Sequence, residues 1–382
     1  MMMEAIAVCL FGMESTISYE LKNLGFQVLK VSDGRVTFSA DELGIAKANI
    51  SLRCAERVLV KVGEFPAKSF EELFDRLAEL PFEKYLQVRS RFSIAKVRSI
   101  NSKLVSASDI QSISKKAIVE RLKKIYHVQW FEESEGDHRI HLFINKDIVE
   151  VSFDTTGPAL HKRGYRELSG EAPLRETIAA FMVMLSPWRY DRILVDPMCG
   201  SGTIAIEAAM YGANIMPGVD RNFAGEELTF ISKKAWVQAR KAAIEGERDV
   251  EFQIRAFDKD RRVIELAKEN AALAGVDHLI RFSVGDATKF RSEEEYGFII
   301  SNPPYGERMG KKEEIELLYK KLGKAFKSLP TWSIYLITGL PEAEKLLGMK
   351  IEKKRKLYNG SLRSNIYIMP GPKPPRVKVG IE

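Results

Sequence analysis

The sequence predicts an α/β protein whose C-terminal half forms a doubly wound sheet, preceded by a smaller α+β module. Three observations support this prediction. A chain of 382 residues is too long for one ordinary hydrophobic core. From Ile193 onward, short apolar runs alternate with amphipathic stretches, which is typical of a sheet with helices on both faces. Before Thr155 the pattern differs and the chain is more basic.

The first part of the chain, residues 1–60, is predicted to be a small α+β subdomain. It opens with an apolar run from Ala5 to Phe11. Apolar residues at helical spacing follow from Ser15 to Leu24, and Gly25 is a stop signal. Two strands are predicted next, Phe26 to Val31 and Val36 to Ser39.

The second part, residues 61–155, combines predicted helices and strands with a high positive charge. The helices are Phe70 to Leu80 and Ser108 to Tyr126, and the strands are Gln87 to Val97, Gln129 to Glu132 and Arg139 to Phe153. Between residues 84 and 127, eleven Lys and Arg residues stand against two acids. Two interpretations stay open: a solvated helix face, or a patch that binds nucleic-acid phosphates. The candidate phosphate-binding residues are Lys96, Arg98, Lys103, Lys115, Lys116, Lys123 and Lys124.

A polar stretch with three glycines, Thr155 to Glu171, predicts a linker, so residues 156–175 are expected to be a linker and entry helix. The remaining residues, 176–382, are expected to form the doubly wound domain. Its predicted strands are Ile193–Pro197, Phe252–Asp258, Ile280–Gly285, Gly297–Ser301, Ser333–Thr338, Lys353–Tyr358 and Asn365–Met369. Its predicted helices are Ser201–Tyr211, Glu226–Gly246, Arg261–Ala274, Ile315–Leu329 and Pro341–Leu347.

Composition argues against several classes of protein. The three cysteines are far apart in sequence, so a disulfide framework or cysteine zinc site is not expected, and the five histidines show no metal-ligand spacing. The N-terminus does not resemble a signal peptide, and the apolar stretches are too short to span a bilayer. We therefore expect a cytoplasmic protein without a metal. The net charge of +7 weakly favours a polyanionic partner.

The first motif with chemical meaning runs from Asp196 to Thr203, where a strand turns into a helix. Glycines at such a turn let the backbone approach a ligand, and the helix N-terminus offers free amides. Gly200, Gly202 and Ala205 also match the dinucleotide fingerprint G-x-G-x-x-G/A. On its own, the motif is also compatible with an ordinary tight turn.

A cofactor with a ribose requires an acidic residue at the end of the next strand. Asp220 lies near the expected distance, but Pro217 breaks the segment before it. Asp258 ends a better strand, so we assign ribose binding to Asp258 and treat Asp220 to Val250 as an insertion. One unit later, Asp286 repeats the acid at a strand end and is a candidate for binding an adenine amine.

The second motif, Asn302-Pro303-Pro304-Tyr305, follows the apolar strand Gly297 to Ser301 and so lies at the ligand-binding edge of the sheet. The side chain of Asn302 and the carbonyl of Pro303 can both accept hydrogen bonds from an –NH2 group. Tyr305 offers a stacking face for a base removed from its stack. No nucleophile–histidine–acid set is apparent.

Together, the two motifs resemble those of class I methyltransferases that modify amino groups of nucleic acids. The N-terminal part resembles a ferredoxin-like plus THUMP module. The segments His161 to Arg166 and Ala172 to Glu176 are similar to the entry segment of the RlmL/YpsC-like guanine-N2 methyltransferases of 23S rRNA. The resemblance covers essentially the whole chain. It implies a Rossmann-like seven-stranded methyltransferase domain, S-adenosylmethionine as cofactor and RNA as partner.

The resemblance also assigns roles to individual residues. It implies that the target base is held by Asn302, Pro303, Pro304 and Tyr305. Cofactor binding is assigned to Pro173, Arg175, Glu176, Asp196, Cys199, Gly200, Ser201, Gly202, Thr203, Asp258, Lys259, Asp286, Ala287 and Asn302. Tyr358-Asn359-Gly360 resembles a loop near the substrate. The alternatives are adenine-N6 methylation of DNA or RNA, guanine-N2 methylation of tRNA, a dehydrogenase, and an inactive nucleic-acid-binding protein.

Overall fold

The structure is a computed structural model that describes residues 2–166, 174–252, 254–305, 312–359 and 362–375. Its strands are β1 (Met3–Val8), β2 (Gln27–Ser32), β3 (Arg35–Ala40), β4 (Arg57–Pro66), β5 (Ser90–Ile100), β6 (Glu135–Asn145), β7 (Ile148–Asp154), β8 (Leu194–Asp196), β9 (Ile254–Asp258), β10 (Ile280–Val284), β11 (Phe298–Ser301), β12 (Ser333–Thr338), β13 (Lys353–Asn359) and β14 (Leu362–Met369). Its helices are α1 (Glu14–Asn23), α2 (Glu42–Ser51), α3 (Phe70–Glu79), α4 (Ala107–Tyr126), α5 (Glu176–Leu185), α6 (Thr203–Gly212), α7 (Lys233–Glu245), α8 (Arg261–Leu273), α9 (Lys312–Lys327) and α10 (Ala343–Leu347).

The chain divides into two compact units. Unit 1 comprises Met1–Cys9, Ile17–Leu160 and Gly218–Glu245, and unit 2 comprises Leu10–Thr16, His161–Pro217 and Gly246–Glu382. None of the described helices is long and apolar enough to cross a membrane.

Unit 1 is built on one sheet of seven strands in the order β2-β3-β1-β4-β7-β6-β5. Neighbouring strands are antiparallel except for β5 and β6, which run parallel. Strand β1 is an interior strand paired with β3 and β4, and its residues Met3, Ala5, Ile6 and Ala7 are buried. The sheet continues without a break from the first sixty residues into the basic region, since β4 pairs with both β1 and β7.

Two strand predictions in unit 1 are wrong. The predicted strand Gln129–Glu132 lies in a loop, and the chain enters the sheet only at Glu135, which pairs with Ser90. The predicted strand Arg139–Phe153 is a hairpin of β6 and β7. Its two turn residues, Lys146 and Asp147, have φ values of 53° and 62°, as a two-residue hairpin turn with the twist of the strands requires.

The segment predicted as an insertion in the C-terminal domain packs on unit 1. The backbone amide of Gly218 donates to the carbonyl of Ile50 at 2.9 Å, and that of Ser232 donates to the Glu42 carboxylate at 2.9 Å. Both acceptors belong to α2, against which α7 packs. Helix α7 begins at Lys233 and not at Glu226, which lies in a short 3-10 turn. The polypeptide therefore leaves unit 2 after α6 and returns to it only at Gly246.

Unit 2 is the predicted doubly wound domain, with strand order β10-β9-β8-β11-β12-β14-β13. The first five strands are parallel, and β14 is antiparallel to both of its neighbours. From β8 the chain continues to β9 on one side, while β11 lies on the other side. The strand order thus reverses between β8 and β11, and a crevice for ligands is expected at their carboxyl ends. Asp196 ends β8 and Asn302 follows β11, so both predicted motifs meet at this position.

Candidate active site

A cavity of about 490 Å³ opens at the carboxyl ends of the central strands of unit 2. Eleven of the residues predicted for the site line it: Asp196, Cys199, Gly200, Ser201, Thr203, Asp258, Lys259, Asp286, Ala287, Asn302 and Pro304. The cavity also has apolar lining that the sequence prediction did not include: Leu174, Pro197, Met198, Ile204, Val263, Leu266 and Leu318. Val263 and Leu266 lie three residues apart on α8 and therefore on the same face of that helix, so part of this wall could have been predicted from the sequence.

The glycine-rich loop bends sharply between β8 and α6. Gly200 and Gly202 have φ values of 53° and 84°, in the left-handed region that favours glycine. The amide of Gly202 donates to the carbonyl of Cys199 at 2.8 Å. A Cβ on Gly200 would meet no atom within 4 Å, whereas one on Gly202 would lie 3.2 Å from the Cβ of Ala267. Gly200 therefore leaves bare backbone open to a ligand, and Gly202 allows close packing on α8.

Asp258 connects this loop to the end of β9. Its Oδ2 accepts a hydrogen bond from the amide of Gly200 at 3.2 Å, and its Oδ1 accepts from the amide of Asp260 at 3.1 Å. The amide of Cys199 donates to the carbonyl of Phe257 at 3.1 Å. Asp220, the other candidate for this role, is exposed and belongs to unit 1.

Asp286 lies at the corresponding position after β10. Its Oδ1 accepts hydrogen bonds from the amide and hydroxyl of Thr288, at 2.9 and 2.7 Å. These bonds hold the pKa of the Asp286 carboxyl below its usual value, so it is an ionised acceptor at the cavity wall.

Asp196 is buried beneath the loop and links the two central strands. The hydroxyl of Ser301 donates to its Oδ1 at 2.7 Å, and the amide of Met198 donates to the same oxygen at 3.3 Å. Burial raises the pKa of Asp196 to about 7. Because Ser301 immediately precedes Asn302, this contact couples the positions of the two motifs.

Asn302 presents a buried acceptor that the rest of the described chain does not use. Its side-chain Oδ1 is buried and has no hydrogen-bond partner among the described residues. A buried amide oxygen without a partner costs free energy, so its retention beside a cavity indicates a ligand donor. The adjacent ring of Tyr305 lies over Gly339, where an added Cβ would come within 2.8 Å of the ring.

The entry segment holds the cofactor loop through ionic contacts that the sequence analysis did not assign. Arg166 pairs with Glu176 on α5 at 3.0 Å, and it donates to the carbonyl of Leu174 and the hydroxyl of Thr203 at 3.0 and 3.3 Å. Leu174 and Thr203 line the cavity, whereas Glu176 stands behind it. Arg166 therefore fixes two parts of the wall.

A second ionic contact lies deeper in unit 2. Arg163 Nε lies 3.2 Å from Oε1 of Glu207 on α6, and the hydroxyl of Tyr165 donates to the same oxygen at 3.1 Å. The side chains of Arg163 and Glu207 are 2% and 0% exposed. The Arg-Gly-Tyr-Arg run was visible in the sequence, but Glu207, the acidic partner of Arg163, lies 44 residues further along the chain.

Other predicted site residues lie away from the cavity wall. Gly202, Arg175, Glu176, Pro303 and Tyr305 do not line the cavity. Pro173 and Gly360 lie outside the described residues. No group of three or more His, Cys, Asp or Glu residues in the described ranges is arranged to hold a metal ion.

Comparison with known proteins identifies the family. The model of the RMKL-like methyltransferase domain matches residues 163–367, that of the RlmL ferredoxin-like domain matches residues 4–59, and that of the THUMP domain matches residues 67–154. The chain belongs to the RMKL-like methyltransferases. This membership confirms the predicted fold class and enzyme class, a methyltransferase that uses S-adenosylmethionine.

Relatives of the RMKL-like chain support the same assignment. It is 42% identical to YpsC of Bacillus subtilis, provisionally named an RNA methyltransferase, over 95% of this chain and 94% of YpsC. It is 37% identical to the ribosomal RNA large subunit methyltransferase K/L of Shewanella pealeana, over 93% of this chain and 51% of that protein. The chain thus spans about half the length of the K/L enzyme. The chain is also similar to SMU.472, whose structure was solved in complex with SAH. The two sequences are 39% identical, the TM-score is 0.91, and the match covers 98% of this chain and 99% of SMU.472.

The described residues of this RMKL-like chain fit S-adenosylmethionine. Gly200 presents bare backbone to the cavity, and the carboxylates of Asp258 and Asp286 also belong to the cavity wall. When bound, S-adenosylmethionine supplies a methyl group activated by its sulfonium. The protein must then hold the acceptor in line and exclude water, which are tasks of positioning.

We predict that Asp258→Ala weakens S-adenosylmethionine binding by about 1.5–3 kcal/mol, because a charge-assisted hydrogen bond is lost. Calorimetric titration measures the effect. Asp220→Ala is the matched control, since it removes an exposed carboxylate from unit 1 and should leave the affinity unchanged. Equal affinities for the two variants would exclude Asp258 from the cofactor site.

Proposed function

We propose that this enzyme transfers a methyl group from S-adenosylmethionine to the exocyclic N2 amine of a guanine in large-subunit ribosomal RNA. The observation that carries the proposal is the buried, unpartnered Oδ1 of Asn302 beside the cavity. An exocyclic amine is a donor group that fits this acceptor. The names of YpsC and the K/L relatives support RNA as the substrate.

The side chain of Asn302 would act on the amine directly. In guanine the amine is conjugated with the ring, so its lone pair is poorly available for attack. Hydrogen bonds from the amine to Asn302 Oδ1 and the Pro303 carbonyl would favour tetrahedral geometry and stabilise the positive charge that develops on nitrogen. The proton can leave after transfer, so this mechanism requires no general base.

Mass spectrometry of nucleosides from ribosomal and transfer RNA, with and without this protein, tests the proposed substrate. We expect N2-methylguanosine to disappear from large-subunit ribosomal RNA and to return with the wild-type gene. Loss of N6-methyladenosine alone would assign the enzyme to adenine, and loss of N2-methylguanosine from tRNA alone would assign it to tRNA.

Unit 1 would bind the RNA and would not take part in the methyl-transfer step. Among the predicted phosphate-binding residues, Lys115 and Lys123 are already paired with Glu133 and Glu120, at 2.9 and 3.1 Å. Lys116 and Lys124 are exposed on α4, and no ion pair forms at either within the described residues. Lys96, Arg98 and Lys103 are also exposed. The exposed, unpaired cations are the better candidates for phosphate contacts.

We predict that the double variant Lys116→Gln/Lys124→Gln weakens RNA binding and lowers the slope of log K against log salt by about 1.4–1.8, since each phosphate contact releases a counterion. Filter binding at several salt concentrations measures this slope. The control Lys241→Gln/Lys268→Gln removes the same charge from α7 and α8 and should leave the slope unchanged. Identical slopes for both variants would indicate that α4 presents only a solvated face.

A further inference from the structure

The loop between α4 and β6 of unit 1, residues 127–134, exposes a large aromatic side chain. Trp130 is 74% exposed. The other three tryptophans of the chain, Trp188, Trp236 and Trp332, are 3%, 1% and 3% exposed. Because burial of a tryptophan is strongly favourable, the exposure of this one requires an explanation.

The loop backbone is held in place on the C-terminal side of Trp130, and on the N-terminal side α4 ends at Tyr126, whose hydroxyl donates to the carbonyl of Leu86 at 2.6 Å. Arg89 donates to the Glu132 carboxylate at 2.9 Å, and the backbone amide of Glu135 donates to the Arg89 carbonyl at 2.9 Å. Lys115 reaches Glu133 at 2.9 Å and the carbonyl of Phe92 at 2.7 Å. The loop backbone is thus tied to α4 and to the beginning of β5, while the indole ring is left in solvent.

An exposed cation lies on each of the two elements that adjoin the loop, α4 and β5. Lys123 and Lys124 occupy the last turn of α4, which ends four residues before Trp130. Arg91 is exposed near the beginning of β5, the strand that Arg89 precedes. An aromatic ring beside cations is the combination that binds single-stranded nucleic acid, with the ring stacking on a base and the cations contacting the backbone.

We infer that Trp130 stacks on an unpaired base of the RNA substrate, while Lys124 and Arg91 contact the neighbouring phosphates. This inference rests on the proposed function, since it assumes that the substrate is RNA. It adds a requirement that the proposed function lacks: the RNA must present an unpaired nucleotide to unit 1, separate from the base that is methylated.

Tryptophan fluorescence isolates this residue, because Trp130 is the exposed one of the four. Iodide should quench its emission in the free protein and quench the Trp130→Phe variant far less. A single-stranded RNA of about 15 nucleotides and mixed sequence should reduce the emission and protect it from iodide, because a stacked base covers the ring. The same RNA annealed to its complement should protect it much less.

Binding measurements on variants provide the second arm. Trp130→Ala should lower affinity for the single-stranded RNA roughly ten- to a hundredfold, and Trp130→Phe should restore most of it, because an aromatic face remains. The matched control is Val105→Ala, since Val105 is 77% exposed in another loop of unit 1. It should bind RNA like the wild type, and all variants should bind S-adenosylmethionine equally.

The outcomes separate this inference from the proposed function. The inference would be overturned if Trp130→Ala bound RNA with wild-type affinity. It would also be overturned if the wild-type protein bound RNA while Trp130 stayed accessible to iodide. Either result would leave RNA as the substrate. If a higher protein concentration protected Trp130 from iodide in the absence of RNA, the exposed ring would serve self-association and the inference of base stacking would be overturned. Failure of the wild-type protein to bind either RNA would instead contradict the proposed function.

Discussion

Replacing Asn302 with alanine is expected to lower turnover about a hundredfold or more, with little effect on stability. Preorganised hydrogen-bond partners at a reacting centre contribute roughly 3–4 kcal/mol each, which corresponds to a factor of that size. The Oδ1 of Asn302 has no partner in the described structure, so its removal breaks no internal hydrogen bond of that atom. Single-turnover methylation of RNA, with saturating S-adenosylmethionine, measures the chemical step directly.

Two controls sharpen the experiment on Asn302. Calorimetry should show that Asn302→Ala loses less affinity for S-adenosylmethionine than Asp258→Ala does, since the carboxylates and the glycine loop remain. Tyr305→Phe should change turnover only mildly, because the ring and its contact with Gly339 are retained. Wild-type turnover in Asn302→Ala would remove the loop from the mechanism.

The second large effect is expected on stability. Glu207→Gln should destabilise the protein by about 3–5 kcal/mol, because it removes the carboxylate that pairs with the buried guanidinium of Arg163. Burial in this site also raises the pKa of Tyr165 well above its usual value, and its hydroxyl keeps the role of donor to position 207. Denaturant unfolding followed by circular dichroism measures the change in the free energy of unfolding.

A surface ion pair gives the matched control for Glu207. Glu265→Gln removes the partner of Lys268 on α8, where both side chains are about half exposed, and it should cost less than about 1 kcal/mol. The double variant Arg163→Leu/Glu207→Leu should recover much of the loss, because both charges of this buried pair are then removed together. Equal destabilisation by Glu207→Gln and Glu265→Gln would show that the buried pair has no special importance.

Local sequence rules predicted the centre of the candidate site. Asp196, Gly200 and Asn302 each follow or end a short apolar strand, and parallel strands place such ends at one edge of the sheet. The strand-end rule also separated Asp258 from Asp220, and the structure places only Asp258 beside the glycine loop. The positions of these residues at strand ends are predictable because the information lies within a few residues of each motif.

Predictions that depended on remote partners were less complete. The strand assigned to Gln129–Glu132 has apolar residues but no neighbouring strand to pair with, because β6 begins only at Glu135. The break between β6 and β7 depends on the positive φ values of Lys146 and Asp147, two residues that do not strongly indicate a turn. A short apolar run does not specify whether a partner strand will be adjacent to it.

The fold class, which the family membership confirms, was predictable from the amino-acid sequence, and so were the two loops assigned to the cofactor and to the amine, because their signals are local patterns of strand ends, glycines and prolines. Only the tertiary structure decided which groups support them. Arg163 meets Glu207 across 44 residues of sequence, and α7 packs on α2 although nearly two hundred residues separate them. The physical reason is that burial and ion pairing depend on distances in space, which spacing along the chain does not determine.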